Sequence, residues 1–155
     1  MDRVHTTENA SAIPENRKPQ ILLIGTSNVG GIDADRLTSE ADVHKVIQYT
    51  LDDTAKYLNS APGFPNIVIL HSLTNDIKVI KPQSCVDKLY EIVTTDVEAK
   101  WPGISVIISL ATPRYDDIKH FNSAQLTNAL IRQKFNDTSN VSLVDVNVFK
   151  LNSII

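Results

Sequence analysis

The stretch Ile21-Leu22-Leu23-Ile24-Gly25-Thr26-Ser27-Asn28 decides how the rest of the chain is read. Four consecutive apolar residues follow Pro19 and stop at a glycine. A run this short, apolar at every position, is the pattern of a strand covered on both faces. Such strands belong to parallel sheets, whose helical crossovers lie over both sides. In open sheets of that kind, ligands bind beyond the carboxyl ends of the strands. The residues just after each strand are therefore the place to look for function.

The same punctuation recurs along the chain. Residues 43–49 are β-rich. Residues 51–59 read as a helix with Leu51, Ala55 and Leu58 on one side. Ile67-Val68-Ile69-Leu70 repeats the buried-strand pattern within residues 66–70. Ser84 and Asp87, after Pro82, have the spacing of a capping box. Val86, Leu89, Tyr90, Val93 and Val97 then recur at helical intervals until Pro102-Gly103. Residues 104–110 form a fourth strand pattern and 141–146 a fifth. Between them, residues 122–135 read as a helix with Leu126, Ala129, Leu130 and Ile131 facing inward. A shorter helical pattern covers 33–40. Five buried strands separated by helices predict an α/β domain with a three-layer, flavodoxin-like arrangement and a five-stranded parallel sheet.

Composition bounds the function. The chain has 155 residues and a mass of 17.2 kDa, the size of one domain. Residues 1–19 read as a flexible leader and 20–155 as the domain. Net charge is −3, with a pI near 5.7, so a direct electrostatic grip on nucleic acid is not expected. No run of 18 apolar residues occurs, so no membrane span is expected. The leader has no apolar core of a signal peptide. The lone Cys85 rules out an internal disulfide, and both features together favour an intracellular, cytoplasmic setting. His5, His44, His71 and His120 make no metal-ligand spacing, and no cofactor is expected.

Three loops follow strand patterns. In the first, Gly25 and Gly30 have the glycine spacing of a phosphate-binding loop, but Gly31-Ile32 stand where Lys and Ser/Thr are required. Ser27, two residues beyond the strand, reads either as a nucleophile on a tight turn or as a helix cap. In the second, Asn75 and Asp76 follow the third strand. Asn75 reads either as a donor to an oxyanion or as a cap. The third holds Arg114 and Asp116, readable as substrate-entrance residues or as a surface ion pair.

Together these residues resemble a family. Gly25-Thr26-Ser27-Asn28 after its apolar strand is similar to the Gly-Asp-Ser block of the SGNH, or GDSL-like, hydrolases. Ile67–Leu70 leading through His71-Ser72-Leu73-Thr74 to Asn75-Asp76 is similar to the Gly-x-Asn-Asp block. The resemblance covers residues 20 to about 146. It is strongest to divergent SGNH domains of invertebrate proteins and retrotransposon-encoded esterases. It implies a serine hydrolase acting on acyl esters. Ser27 would be the nucleophile, contributing its own backbone N–H to the oxyanion hole, and Asn75 the side-chain donor. A further backbone donor would come from Tyr49-Thr50-Leu51-Asp52, which has no glycine. Thr26, Asn28, Asp76 and Arg114 would line the substrate site, with a small acyl ester or related ligand as partner.

The departure lies near the end of the chain. The family's base is the histidine of an Asp-x-x-His block, and here Asp145-Val146-Asn147-Val148 carries valine at that spacing. A serine hydroxyl is a weak nucleophile without an adjacent base. His71, four residues before Asn75, is the nearest surrogate; His120 reads as a solvated or capping residue. The resemblance thus predicts a weak or inactive hydrolase. The alternative is a non-catalytic SGNH-like binding or interaction module, a pseudoenzyme. Residues 147–155 are too short for the family's final helix, so the domain reads as truncated at its C-terminus. The apolar Val148, Phe149, Leu151, Ile154 and Ile155 would cover a sheet face only partly. Self-association through that exposed face is a further expectation.

Overall fold

The computed structural model describes residues 17–145. Five strands form one sheet: β1 (Gln20–Gly25), β2 (Asp42–Ile47), β3 (Ile67–His71), β4 (Ser105–Ser109) and β5 (Val141–Val144). Their order is β2-β1-β3-β4-β5 and every pairing is parallel. The α/β fold with a five-stranded parallel sheet is as expected. The chain leaves β1 for β2 on one side and returns to β3 on the other. The carboxyl ends of β1 and β3 therefore flank the topological switch point.

The crossovers carry α1 (Ser27–Gly30), a 3₁₀ turn (Ala34–Arg36), α2 (Leu51–Ser60), α3 (Asp76–Val79), α4 (Pro82–Glu91), a π-helical turn (Ile92–Val97), α5 (Glu98–Lys100) and α6 (Ile118–Lys134). The helical pattern at 33–40 is thus only one 3₁₀ turn. The capping box does not form either. Lys81 is the cap residue without a side-chain bond, Pro82 opens α4, and Gln83 donates to Asp87 at 2.9 Å. Proline is well suited to that first position, where a missing N–H costs nothing.

One face of the sheet holds the main core. Leu22, Ile24, Val68, Leu70, Val106 and Ile108 alternate along three central strands and are buried against α2, α4 and α6. Each such side chain contributes about 1.5–3 kcal/mol by burial. The opposite face carries Ile21, Ile67, Ile69 and Ile107, all half-buried. The expected final segment, including Val148, Phe149, Leu151, Ile154 and Ile155, and the expected leader as far as residue 16 lie outside the described residues.

The inner face of α6 differs in part from the expected one, although Leu130 and Ile131 do pack into the core. Leu126 is 52% exposed and Ala129 is exposed, while Ala124, Thr127, Asn128 and Ile131 are buried. Asn128 explains the rotation. Its amide accepts from Ala111 N–H at 2.8 Å and donates to the Ala111 carbonyl at 2.9 Å. A buried amide with both ends satisfied is stable in a core, and it ties α6 to the loop after β4.

At the end of β1, a Cβ on Gly25 would overlap the Val29 side chain and lie 3.0 Å from the His71 carbonyl. Gly25→Ala is therefore expected to destabilise the protein by roughly 1–3 kcal/mol, the usual cost of overpacking. Adding Val29→Ala should restore part of that loss. Urea unfolding of the two variants checks this, and no recovery in the double variant would show that the Val29 contact is not the cause.

Candidate active site

The site is assembled at the carboxyl ends of β2, β1 and β3. Ser27 is exposed and is the first residue of α1. Its turn is held from four directions. Thr26 N–H donates to the His71 carbonyl at 3.4 Å. Val29 packs back over Gly25. Lys45 Nζ, rising from β2, donates to the Gly30 and Ile32 carbonyls at 3.0 and 2.7 Å. Asn28 Nδ2 donates to Thr74 Oγ1 at 3.3 Å. The Ser27 side chain does not cap α1. Thr26 is the cap residue, and it forms no side-chain cap bond.

The loop after β3 is fastened in the same way. Ser72 Oγ donates to the Ile24 carbonyl at 3.3 Å. Asn75 Nδ2 donates to the Tyr49 carbonyl at 2.8 Å and does not cap α3. An amide nitrogen carries two hydrogens, so one remains for another acceptor. The Asp76 carboxylate accepts Leu51 N–H, the first residue of α2, at 2.9 Å. Thr50 caps the same helix by accepting from Asp53 N–H at 3.0 Å. The segment 49–51 is therefore pinned to residues 75–76 by two bonds running in opposite directions.

Two residues expected to contact substrate are turned inward. Thr26 is fully buried and its hydroxyl has no partner among the described residues. Asp76 is only 5% exposed. Burial raises its pKa above the usual carboxylate range, partly offset by the Leu51 N–H. Both side chains face the protein interior because the turn geometry places Ser27, Asn28 and Asn75 outward instead. Asn28 and Arg114 are exposed. Arg114 forms a two-bonded pair with Asp116, at 2.8 and 3.2 Å, which accounts for both residues as a surface ion pair.

His71 ends β3 and is half-buried, and burial lowers its pKa. Its Nδ1 lies 2.8 Å from Ser109 Oγ at the end of β4. Ser109 gave no signal in the sequence, since a lone serine at a strand end belongs to no pattern. His120 corrects the expectation of a solvated residue: it is 7% exposed, with neither ring nitrogen partnered among the described residues. Burial, then Arg114, lower its pKa; Lys78 adds to this and Asp117 and Asp116 oppose it. Asp145 accepts from Arg132 at 3.0 Å. Val148 lies outside the described residues. Cys85 is fully buried, and burial beside Asp76 pushes its thiol up to about 12, so it is inert as a nucleophile. No group of three or more His, Cys, Asp or Glu among the described residues is placed to hold a metal ion. No helix among them is long and apolar enough to cross a membrane.

No protein-family model matches the sequence, and no curated protein matches it. Solved structures do match. A member of the lipolytic G-D-S-L family from Veillonella parvula superposes with a TM-score of 0.68 at 15% identity, over 87% of this chain and 82% of its own. TesA superposes with a TM-score of 0.59 at 16% identity, over 80% of this chain and 76% of its own. A carbohydrate esterase of family 3 from Talaromyces cellulolyticus gives 0.56 at 17% identity, over 83% and 78%. The shared feature is the fold: a parallel five-stranded sheet flanked by helices.

The lowered pKa values of His71 and His120 set a pH dependence of stability. The unfolded chain, with ordinary histidines near 6.5, takes up protons that the folded chain refuses. Stability is therefore complete above about pH 6.5 and falls as pH drops below it. His120→Phe should flatten part of that fall between pH 7.5 and 5. Urea midpoints across this window test it. An unchanged slope in the variant would assign the dependence elsewhere.

Proposed function

We propose that this domain is a serine hydrolase of acyl esters with low turnover. The observation that carries this reading is the convergence of Ser27 and Asn75 at the β1/β3 switch point, with both loops locked before any ligand arrives. Ser27 Oγ attacks the ester carbonyl. The carbonyl oxygen then gathers negative charge and needs fixed donors. The second Asn75 Nδ2 hydrogen supplies one, and the Ser27 backbone N–H, at the start of α1, supplies another. The Tyr49 carbonyl holds the Asn75 amide in orientation, so little reorganisation is needed as charge develops.

The fold shared with lipolytic and esterase proteins supports the same chemistry. The third donor narrows to Tyr49, Thr50 or Asp52. Leu51 N–H is engaged by Asp76, and Gln48 N–H by the Gly25 carbonyl at 2.9 Å. Low turnover follows from Val148 at the histidine spacing after Asp145. Removing a triad member typically leaves only about 10³–10⁴-fold catalysis over water, from the oxyanion hole and binding. Thr26 and Asp76 act from beneath the site, and Asn28 stands on its open side.

The same valine favours the second reading, a non-catalytic binding module. Hydrolysis of a short-chain nitrophenyl ester separates the two. Ser27→Ala is expected to abolish turnover, and Asn75→Ala to lower kcat by about 10²–10³-fold, the cost of one oxyanion donor. Wild-type activity equal to the Ser27→Ala background would establish the binding module.

A further inference from the structure

A cleft lies at the end of the sheet away from Ser27. β1 is six residues long, so its amino end is roughly 20 Å from the serine turn at about 3.3 Å per residue. The cleft measures about 1040 Å³. That is the upper end of the size of small-ligand sites, roughly 300–1,000 Å³. Ile21 and Ile67, in register on β1 and β3 and both half-buried, line it. Residues 17–19 and the loop 62–66 add to its walls. The loop is fixed. Gly63 turns it at φ 80°, a conformation that favours glycine, and its carbonyl accepts from Trp101 Nε1 at 2.9 Å. Asn66 holds the start of β1 by both backbone groups. Its Oδ1 accepts from Gln20 N–H and its own N–H donates to the Gln20 carbonyl, each at 2.7 Å. Phe64 in this fastened loop is nevertheless 87% exposed, so its ring takes no part in the core.

The charges around the cleft have one sign. Arg17 and Lys18 line it, His44 adds an imidazole from β2, and no carboxylate is among the described lining residues. The chain as a whole carries a net −3, so this end departs from the average. The ion pairs among the described residues, Lys88–Asp52, Arg114–Asp116 and Arg132–Asp145, leave Arg17 and Lys18 out. Asp42, in register with Gln20, accepts from Gln20 Nε2 at 2.9 Å and does not line the cleft. We propose that this cleft binds an amphipathic organic carboxylate, its head on Arg17 and Lys18 and its apolar body against Ile21, Ile67 and Phe64.

Both halves of such a ligand are needed to use both halves of the cleft. An inorganic anion would satisfy the cations and leave Phe64 in water. A neutral hydrocarbon would cover Phe64 and desolvate the cations without replacing their hydration. The fixed loop needs no ordering when a ligand arrives, so little of the apolar contact is lost to loop entropy. Arg17 and Lys18 are exposed, so salt screens their pull on the head. Binding here does not depend on Ser27, since the two sites stand at opposite ends of β1.

Amide NMR of the full chain, titrated with decanoate below its micelle threshold, tests this. Acetate and decanol serve as the two halves of the probe. Decanoate is expected to shift residues 18–22, 44 and 63–67, and to bind about tenfold more tightly than either half. Arg17→Gln with Lys18→Gln should weaken decanoate about tenfold and leave decanol unchanged. High salt should reproduce that effect. Phe64→Ala should weaken decanoate and decanol alike, by about tenfold. All three side chains are exposed, so the variants keep the fold. Equal affinities for decanoate and decanol would overturn the carboxylate site, as would no shift at the amino end of the sheet. Shifts confined to Ser27 and Asn75 would move the ligand to the other site and overturn it too. Shifts that survive Phe64→Ala and spread over Val79, Tyr115 and Ile118 would reduce it to general adsorption. Nuclear Overhauser contacts between residues 1–16 and Phe64 in the free protein would give the cleft to the chain's own N-terminal segment instead.

Discussion

Nothing larger than hydrogen fits on the Cα of Gly25, and the site depends on that. Because β1 ends flush, Val29 folds back over it and the chain turns within one residue. That turn puts Ser27 outside and Thr26 inside. A methyl group here would push α1 away from β2, where Lys45 holds its terminal carbonyls. The constraint is steric, and it reaches the chemistry by setting the direction of one serine.

The loops around that turn are held by bonds that cross strand ends rather than run along them. Ser72 reaches Ile24, Asn28 reaches Thr74, and Asp76 reaches Leu51. Each links segments more than twenty residues apart. Asp76 is the costliest of these, since its carboxylate is buried. A single backbone N–H and the positive end of α2 offset that burial only in part, which is why its pKa stays high. The arrangement exchanges some stability for fixed loop geometry, as preorganised sites do.

The legible parts were those with a period. β1, β3 and β4 announced themselves by unbroken apolar runs, Ile21–Ile24, Ile67–Leu70 and Val106–Ile108, and α2 because Thr50, Asp52 and Asp53 mark its start. Leu126 and Ala129 were misplaced on α6 because the polar Thr127 and Asn128 occupy its buried side, and sequence alone does not reveal that Ala111 satisfies the buried amide. Thr26 and Asp76 were placed at the surface because motif spacing says which residues share a loop, not which way a sharp turn points them. Ser109 was invisible for a further reason. Its meaning comes entirely from His71, thirty-eight residues away in sequence and one strand away in space.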